Sequence, residues 1–170
     1  MKKILFLFAT ISILSSCSDE SVTPPTPTGT TSGSIVGVWN FDNLTQEDGS
    51  VKWDGIEVSS YTGQSSNEVG SVEFKADKTF SSTISYTFTA KFAGVGEQET
   101  EIPTTTTTGT YVYDVTAKTL TTTAQGVTSV ADVTELTATS LVTVLNVETE
   151  QEANGILVNS SNTTTSSYSK

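Results

Sequence analysis

The stretch Thr79-Phe80-Ser81-Ser82-Thr83-Ile84-Ser85-Tyr86-Thr87-Phe88-Thr89-Ala90-Lys91-Phe92 decides the fold. Phe80, Ser82, Ile84, Tyr86, Phe88, Ala90 and Phe92 alternate with Thr79, Ser81, Thr83, Ser85, Thr87, Thr89 and Lys91. Successive side chains of a strand point to opposite sides, so this sustained period of two predicts a long β-strand with one buried and one solvated face. A helix would need apolar residues at i, i+3, i+4 and i+7. Beyond the first seventeen residues no segment shows that pattern over three turns.

The same alternation extends to both sides. Val72, Phe74 and Ala76 against Ser71, Glu73 and Lys75 predict a shorter strand just before, and Ala76-Asp77-Lys78-Thr79 a tight hairpin turn without glycine. Residues 105–115 carry Gly109, Tyr111 and Tyr113 on one face. Residues 118–124, 127–136 and 141–147 follow as strands, and residues 155–158 with the polar tail to Lys170 are candidates for a closing one. Upstream, Ile35, Gly37, Trp39 and Phe41 share a face opposite Val36, Val38, Asn40 and Asp42. About eight strands within residues 35–170, separated by short turns and rich in Thr, Val and Tyr, predict an all-β, antiparallel up-and-down barrel.

Composition bounds the chemistry. The 170 residues hold 8 Lys, 19 Asp and Glu, no His, no Arg and one Cys, and about a third are Ser or Thr. Without His or Arg there is no imidazole acid–base pair, no Ser-His-Asp triad and no arginine clamp. The net charge of −11 argues against nucleic acid, whose phosphates require a basic footprint.

The start of the chain predicts its compartment. Met1-Lys2-Lys3 precedes an apolar run over residues 4–14, too short to span a bilayer as a helix but with the layout of a secretory signal. The run ends in Leu14-Ser15-Ser16-Cys17, which resembles a bacterial lipobox. That resemblance implies cleavage before Cys17, acylation of its thiol (palmitate among the chains) and attachment to a membrane through those chains. Residues 1–16 then form the signal peptide, and their removal leaves six lysines against 19 carboxylates, a net charge of −13. A single cysteine makes no disulfide within the chain, so the exported domain must rely on its core. Ser18-Asp19-Glu20 resembles the short acidic signal of surface-exposed lipoproteins of Bacteroidota, and equally suits the solvated start of a linker. Residues 17–34, with three prolines and no aromatic residue, predict an extended tether. At roughly 3 Å per residue its Pro- and Thr-rich part reaches about 40 Å from the membrane.

Several motifs of the domain bear a family resemblance. Gly37-Val38-Trp39 resembles the G-x-W of lipocalins, in which the Trp plugs the closed end of a barrel. Val72-Glu73-Phe74-Lys75-Ala76-Asp77-Lys78-Thr79-Phe80, then Thr108-Gly109-Thr110-Tyr111, then Leu136-Thr137-Ala138-Thr139-Ser140-Leu141 follow in the matching order. Together with the lipobox they are similar to the lipocalin-like domains on lipoproteins of Bacteroidota, and imply an outer-membrane, lipid-anchored protein. Animal lipocalins place an Arg over that Trp and add a helix after the barrel. This sequence has neither, so the resemblance supports the barrel more than any ligand.

Eight-stranded barrels are filled by side chains or hold one small molecule. Trp53, Phe74, Ile84, Tyr86, Phe88, Tyr111 and Tyr113 are the candidate cavity lining, suited to a small apolar ligand with a polar end. The same residues serve equally as a filled core, in which case the protein is a structural or interaction module on a stalk. No catalytic residues, cofactor or metal are assigned. Asp42 with Asp48 and Asp54 with Glu57 are carboxylate pairs near expected strand ends or turns, where exposed charges are common. Two acidic runs, Glu97-Gln98-Glu99-Thr100-Glu101 and Glu148-Thr149-Glu150-Gln151-Glu152, fall on the fourth and eighth connections of a meander counted from Ile35, hence at one end of the barrel. They are read as solvated rather than calcium-binding. The oligomeric state is left open.

Overall fold

A computed structural model describes residues 33–153 and 155–170. The expected signal peptide, Cys17 and the tether up to residue 32 lie outside them. Eight antiparallel strands run β1 (Gly37–Trp53), β2 (Ile56–Phe74), β3 (Thr79–Phe92), β4 (Gly96–Asp114), β5 (Thr119–Ala124), β6 (Val127–Leu136), β7 (Ser140–Ala153) and β8 (Ile156–Ser169). Each pairs with the next, and β8 returns to β1 to close the barrel. The up-and-down barrel of eight strands is as expected, and the described residues contain no helix.

The strand lengths differ from expectation. The alternation around Trp39 and the one around Phe74 belong to strands of 17 and 19 residues, joined by a turn at Asp54-Gly55. Residues 43–70 are polar and glycine-rich, a composition depleted in strands, and bulges break their period. Asp42 and residues 67–68 interrupt the ladder, and Asp48 and Asn67 take positive φ angles. The acidic runs are also moved. Neither lies on a connection: Glu97, Glu99 and Glu101 belong to β4, and Glu148, Glu150 and Glu152 to β7. They flank the third and seventh turns, which do share one end of the barrel.

One end is packed. Ile35, Trp39, Val72, Phe74, Phe80, Tyr111, Leu120, Val133, Leu136 and Leu141 form the core, where every strand except β8 contributes a buried apolar residue and β8 adds Tyr168. The three turns in this region are held by side chains, the β4–β5 turn by Asp114, which accepts from the amides of Thr116 and Ala117 at 2.8 and 2.9 Å. Asp77 accepts from the backbone N–H of Thr79 at 3.0 Å and from its hydroxyl at 2.6 Å, so the turn needs no glycine: Lys78 takes the positive φ. Thr137 Oγ1 accepts from the amides of Thr139 and Ser140, between buried Leu136 and Leu141.

Trp39 is the plug, fully buried, its indole N–H donating to the Ile35 carbonyl at 2.7 Å. The cation missing from the sequence pattern is supplied by the last residue. Lys170 Nζ lies 4.1 Å from the centroid of the Trp39 ring and donates to the carbonyls of Ser34 and Val36. Gly37 makes the room: its φ is 136°, and a Cβ there would stand 3.1 Å from Lys170 Cε.

The other end is open along one side. β1 to β4 run 14–19 residues and β7 and β8 run 14, but β5 has only 6 and β6 only 10. At ~3.3 Å per residue the longest strands extend about 60 Å against about 20 Å for β5. β4 therefore pairs with β5 only over residues 110–114, and β6 with β7 only through residues 132–136 and 141–144. Above that level, residues 96–109 of β4 and 145–153 of β7 pair with no strand on their facing sides among the described residues.

Lys170→Ala is expected to lower stability by about 1–2 kcal/mol, since it removes a cation from an aromatic face and two charged hydrogen bonds. Lys170→Arg should retain most of it. Trp39→Ala, which empties the plug, should cost roughly 3–5 kcal/mol. Urea unfolding midpoints of the four proteins check the order wild type, Arg, Ala, Trp39→Ala.

Candidate functional site: the open half of the barrel

The barrel interior above the packed end has two unlike walls. β3 supplies one through its even-numbered residues. Phe41 of β1 meets Tyr86 with ring centroids 5.5 Å apart and Tyr168 at 5.8 Å, forming an aromatic layer above Trp39. Higher up, Tyr61 of β2 packs on Phe92 at 5.3 Å. Ile84, Tyr86, Phe88, Phe92 and Tyr61 all stay partly exposed. This is the apolar wall.

Glycines allow the rings to lie across the sheet. A Cβ at Gly63 would sit 2.2 Å from Phe88 Cζ, and one at Gly49 would sit 2.7 Å from the Tyr61 ring. With no side chain at Gly49, Asn162 of β8 reaches across β1 and donates to the Tyr61 hydroxyl at 2.9 Å. Asn162 in turn accepts from Thr164 Oγ1 at 2.6 Å. The register puts Ser160, Asn162, Thr164 and Ser166 on the face of Tyr168, with Thr149 of β7 beside Ser160 at 2.6 Å. This second wall is made of hydroxyls and amides. A bound molecule would meet carbon on one side and hydrogen-bonding groups on the other.

The seven residues expected to line a cavity fall into three places. Ile84, Tyr86 and Phe88 lie in the apolar wall. Phe74 and Tyr111 belong to the packed end, in edge-to-face contact at 4.9 Å, and the Tyr111 hydroxyl donates to the Lys75 carbonyl at 2.7 Å. Tyr113 packs against that same core, its hydroxyl buried without a hydrogen-bond partner among the described residues. Trp53 stands at the open rim, 48 % exposed, beside Ile56, which is 71 % exposed. The spacing could not separate these groups, because all seven face inward; only height along the barrel divides them. Tyr61, Asn162 and Gly49 were missed, since serines and glycines around Tyr61 and hydroxyls around Asn162 mask the alternation; Phe92 lay on the inward face of the β3 alternation but outside the lining candidates.

Two concavities open in the upper half of the barrel, and the first takes in the Tyr61 and Phe92 rings of the apolar wall. One of about 660 Å³ sits at the rim, lined by Asp48, Tyr61, Lys91, Phe92 and Val95. The other, of about 570 Å³, is polar and lined by Gln46, Glu47, Gln64, Lys91, Glu97 and Glu99. Neither draws on Ile84, Tyr86 or Phe88.

One member of each carboxylate pair is held in structural work. Asp42 accepts from the Ser169 hydroxyl at 2.8 Å across the β1–β8 seam. Asp54 occupies its turn with φ 48° and accepts from the Leu157 amide at 3.1 Å, tying the β1–β2 turn to β8. A Ser-x-x-Lys spacing does occur, Ser167 to Lys170, but its lysine is committed to Trp39. No group of three or more carboxylate or cysteine side chains among the described residues is placed to hold a metal ion. No family model, curated protein or solved structure matches this chain.

All five tyrosines titrate above the usual phenol value of 10.0, chiefly because burial disfavours the phenolate. Asn162 partly offsets this at Tyr61, and Ser166 does so at Tyr168. The folded-state values are raised, so the stabilisation is fully present below pH 10 and is lost as pH climbs through the folded values. Phenolate absorbance of the native protein should therefore rise later than that of the urea-unfolded chain, and the tyrosines' contribution to stability should fall only above about pH 10. Tyr113→Phe should be neutral or stabilising by about 1 kcal/mol, because it removes a buried hydroxyl with no partner. Thermal unfolding of that variant checks the assignment.

Proposed function

We propose that this protein is a cell-envelope lipoprotein whose lipocalin-like barrel holds one small apolar or amphipathic molecule in its open half, without catalysis. The observation that carries the reading is the pair of facing walls, partly exposed aromatic rings against the Asn162 and Thr164 network, above a packed floor. A molecule with an apolar body and one polar end satisfies both walls, whereas water satisfies only the second. The lipobox Leu14-Ser15-Ser16-Cys17 supports anchoring at the outer membrane, and Ser18-Asp19-Glu20 supports display on the cell surface. The chain enters the described domain at the packed end, where the Gly33 amide donates to the Leu136 carbonyl at 3.1 Å.

Native mass spectrometry of the protein released from its own envelope, with Cys17 replaced so that detergent is not needed, should show a reproducible mass above the bare chain that is lost on denaturation. Phe88→Asp should abolish the added mass while leaving the β-sheet circular dichroism spectrum in place. A bare mass in the wild-type protein overturns the carrier reading. Cys17→Ala should move the protein from the membrane to the soluble fraction, and its retention with membranes would overturn the anchor.

A further inference from the structure

The two unpaired lips of the open half differ in a way that selects an occupant. The β4 lip, residues 96–109, is interrupted opposite Ser85 by a bulge that contains Pro103, which has no N–H to offer. Such features blunt an edge against strand addition. The β7 lip, residues 145–153, has neither: its ladder to β8 runs from Ser140 to Ala153 with no shift of register. It therefore presents an unbroken row of backbone donors and acceptors toward the gap. At the level where β5 and β6 still stand between the lips, three interstrand steps separate β4 from β7, about 14 Å. The gap admits an added strand.

The side chains along the β7 lip specify what that strand must carry. Glu148, Glu150 and Glu152 alternate on the outer face and are exposed, while Leu145 and Val147 point to the barrel interior and are half-buried. Glu97, Glu99 and Glu101 line the outer face of the opposite lip and are exposed as well. A second copy of this chain would set Glu against Glu across the new ladder, and like charges directly opposite are destabilising. The tether of this chain carries Pro24, Pro25 and Pro27 and cannot supply a continuous ladder. We propose that the β7 lip binds an extended segment of another polypeptide by β-strand addition, with Lys or Arg at alternate outward positions and apolar residues between them pointing into the barrel. The backbone ladder supplies the attachment, the carboxylates set the register and the sign, and the apolar side chains join Leu145 and Val147. This stands whether or not the interior also holds a small molecule.

The test is hydrogen–deuterium exchange on the intact protein with a nine-residue peptide alternating Lys and Val. Amides within residues 145–153 should slow at least tenfold on addition of the peptide, with smaller change in β2 and β3. Three controls accompany it: an alternating Glu-Val peptide, a peptide with the same Lys and Val content arranged in two blocks, and the Lys-Val peptide N-methylated at every second residue. None of the three should protect the lip. The triple variant Glu148→Lys, Glu150→Lys, Glu152→Lys should exchange the preference, binding the Glu-Val peptide instead. If that variant fails to fold, the three control peptides on the wild-type protein still decide the matter. Equal protection by the block or N-methylated peptide would reduce the effect to bulk charge and overturn strand addition. No protection at residues 145–153 would overturn it outright.

Discussion

A meander of strands becomes a barrel only when the last strand finds the first, and here that meeting is organised around the Trp39 ring. The indole is sealed from solvent and held by the carbonyl of Ile35, four residues earlier. The closing residue of β8's extension, Lys170, caps the ring and grips the chain on the other side of it. Gly37 lies between them because any side chain there would occupy the space of the lysine stem. Three residues at opposite ends of the chain thus close the seam, and the apolar contacts of Phe74, Tyr111, Leu136 and Leu141 assemble against the surface they create. In a chain with one cysteine, this cluster takes the place of a disulfide.

From that floor the two halves diverge for a simple reason of length. β5 and β6 are long enough to complete the wall around the core and no longer. The remaining six strands rise past them, so the upper barrel is a trough with a slot in its side. Packing and opening are therefore separated along one axis. The residues that hold the fold together are not those available to a ligand or partner. Substitutions in the upper half can alter recognition while leaving the Trp39 cluster untouched.

The division explains which parts of the molecule could be read from sequence. Phe80 to Phe92 announced a strand because its outward positions are uniformly Thr, Ser and Lys, and the packed end was legible through Gly37, Trp39 and the Leu136–Leu141 corner. β1 and β2 were mostly hidden. Their upper portions carry Asp, Asn, Gln, Gly and Ser, residues chosen for bulges and for the passage of the Tyr61 and Phe88 rings rather than for strand propensity. The acidic runs looked like loops because their glutamates occupy the solvated outer face of β4 and β7, and the residues between them are mostly polar too. Lys170 gave no local sign of its role, since the ring it covers lies 131 positions away in sequence. What remained invisible was the unequal length of neighbouring strands, which depends on pairing and has no local pattern.

The closing arrangement also brings the two ends of the domain into one corner. The Gly33 amide is bonded to Leu136 and the Lys170 amide to Thr139, three residues apart on the same turn. Around the cylinder the order of strands is then cyclic, and the point at which the polypeptide begins carries no structural privilege. A short peptide bridging residues 33 and 170, with new termini cut into the exposed glycine turn at Gly94, would leave every ladder of the barrel intact.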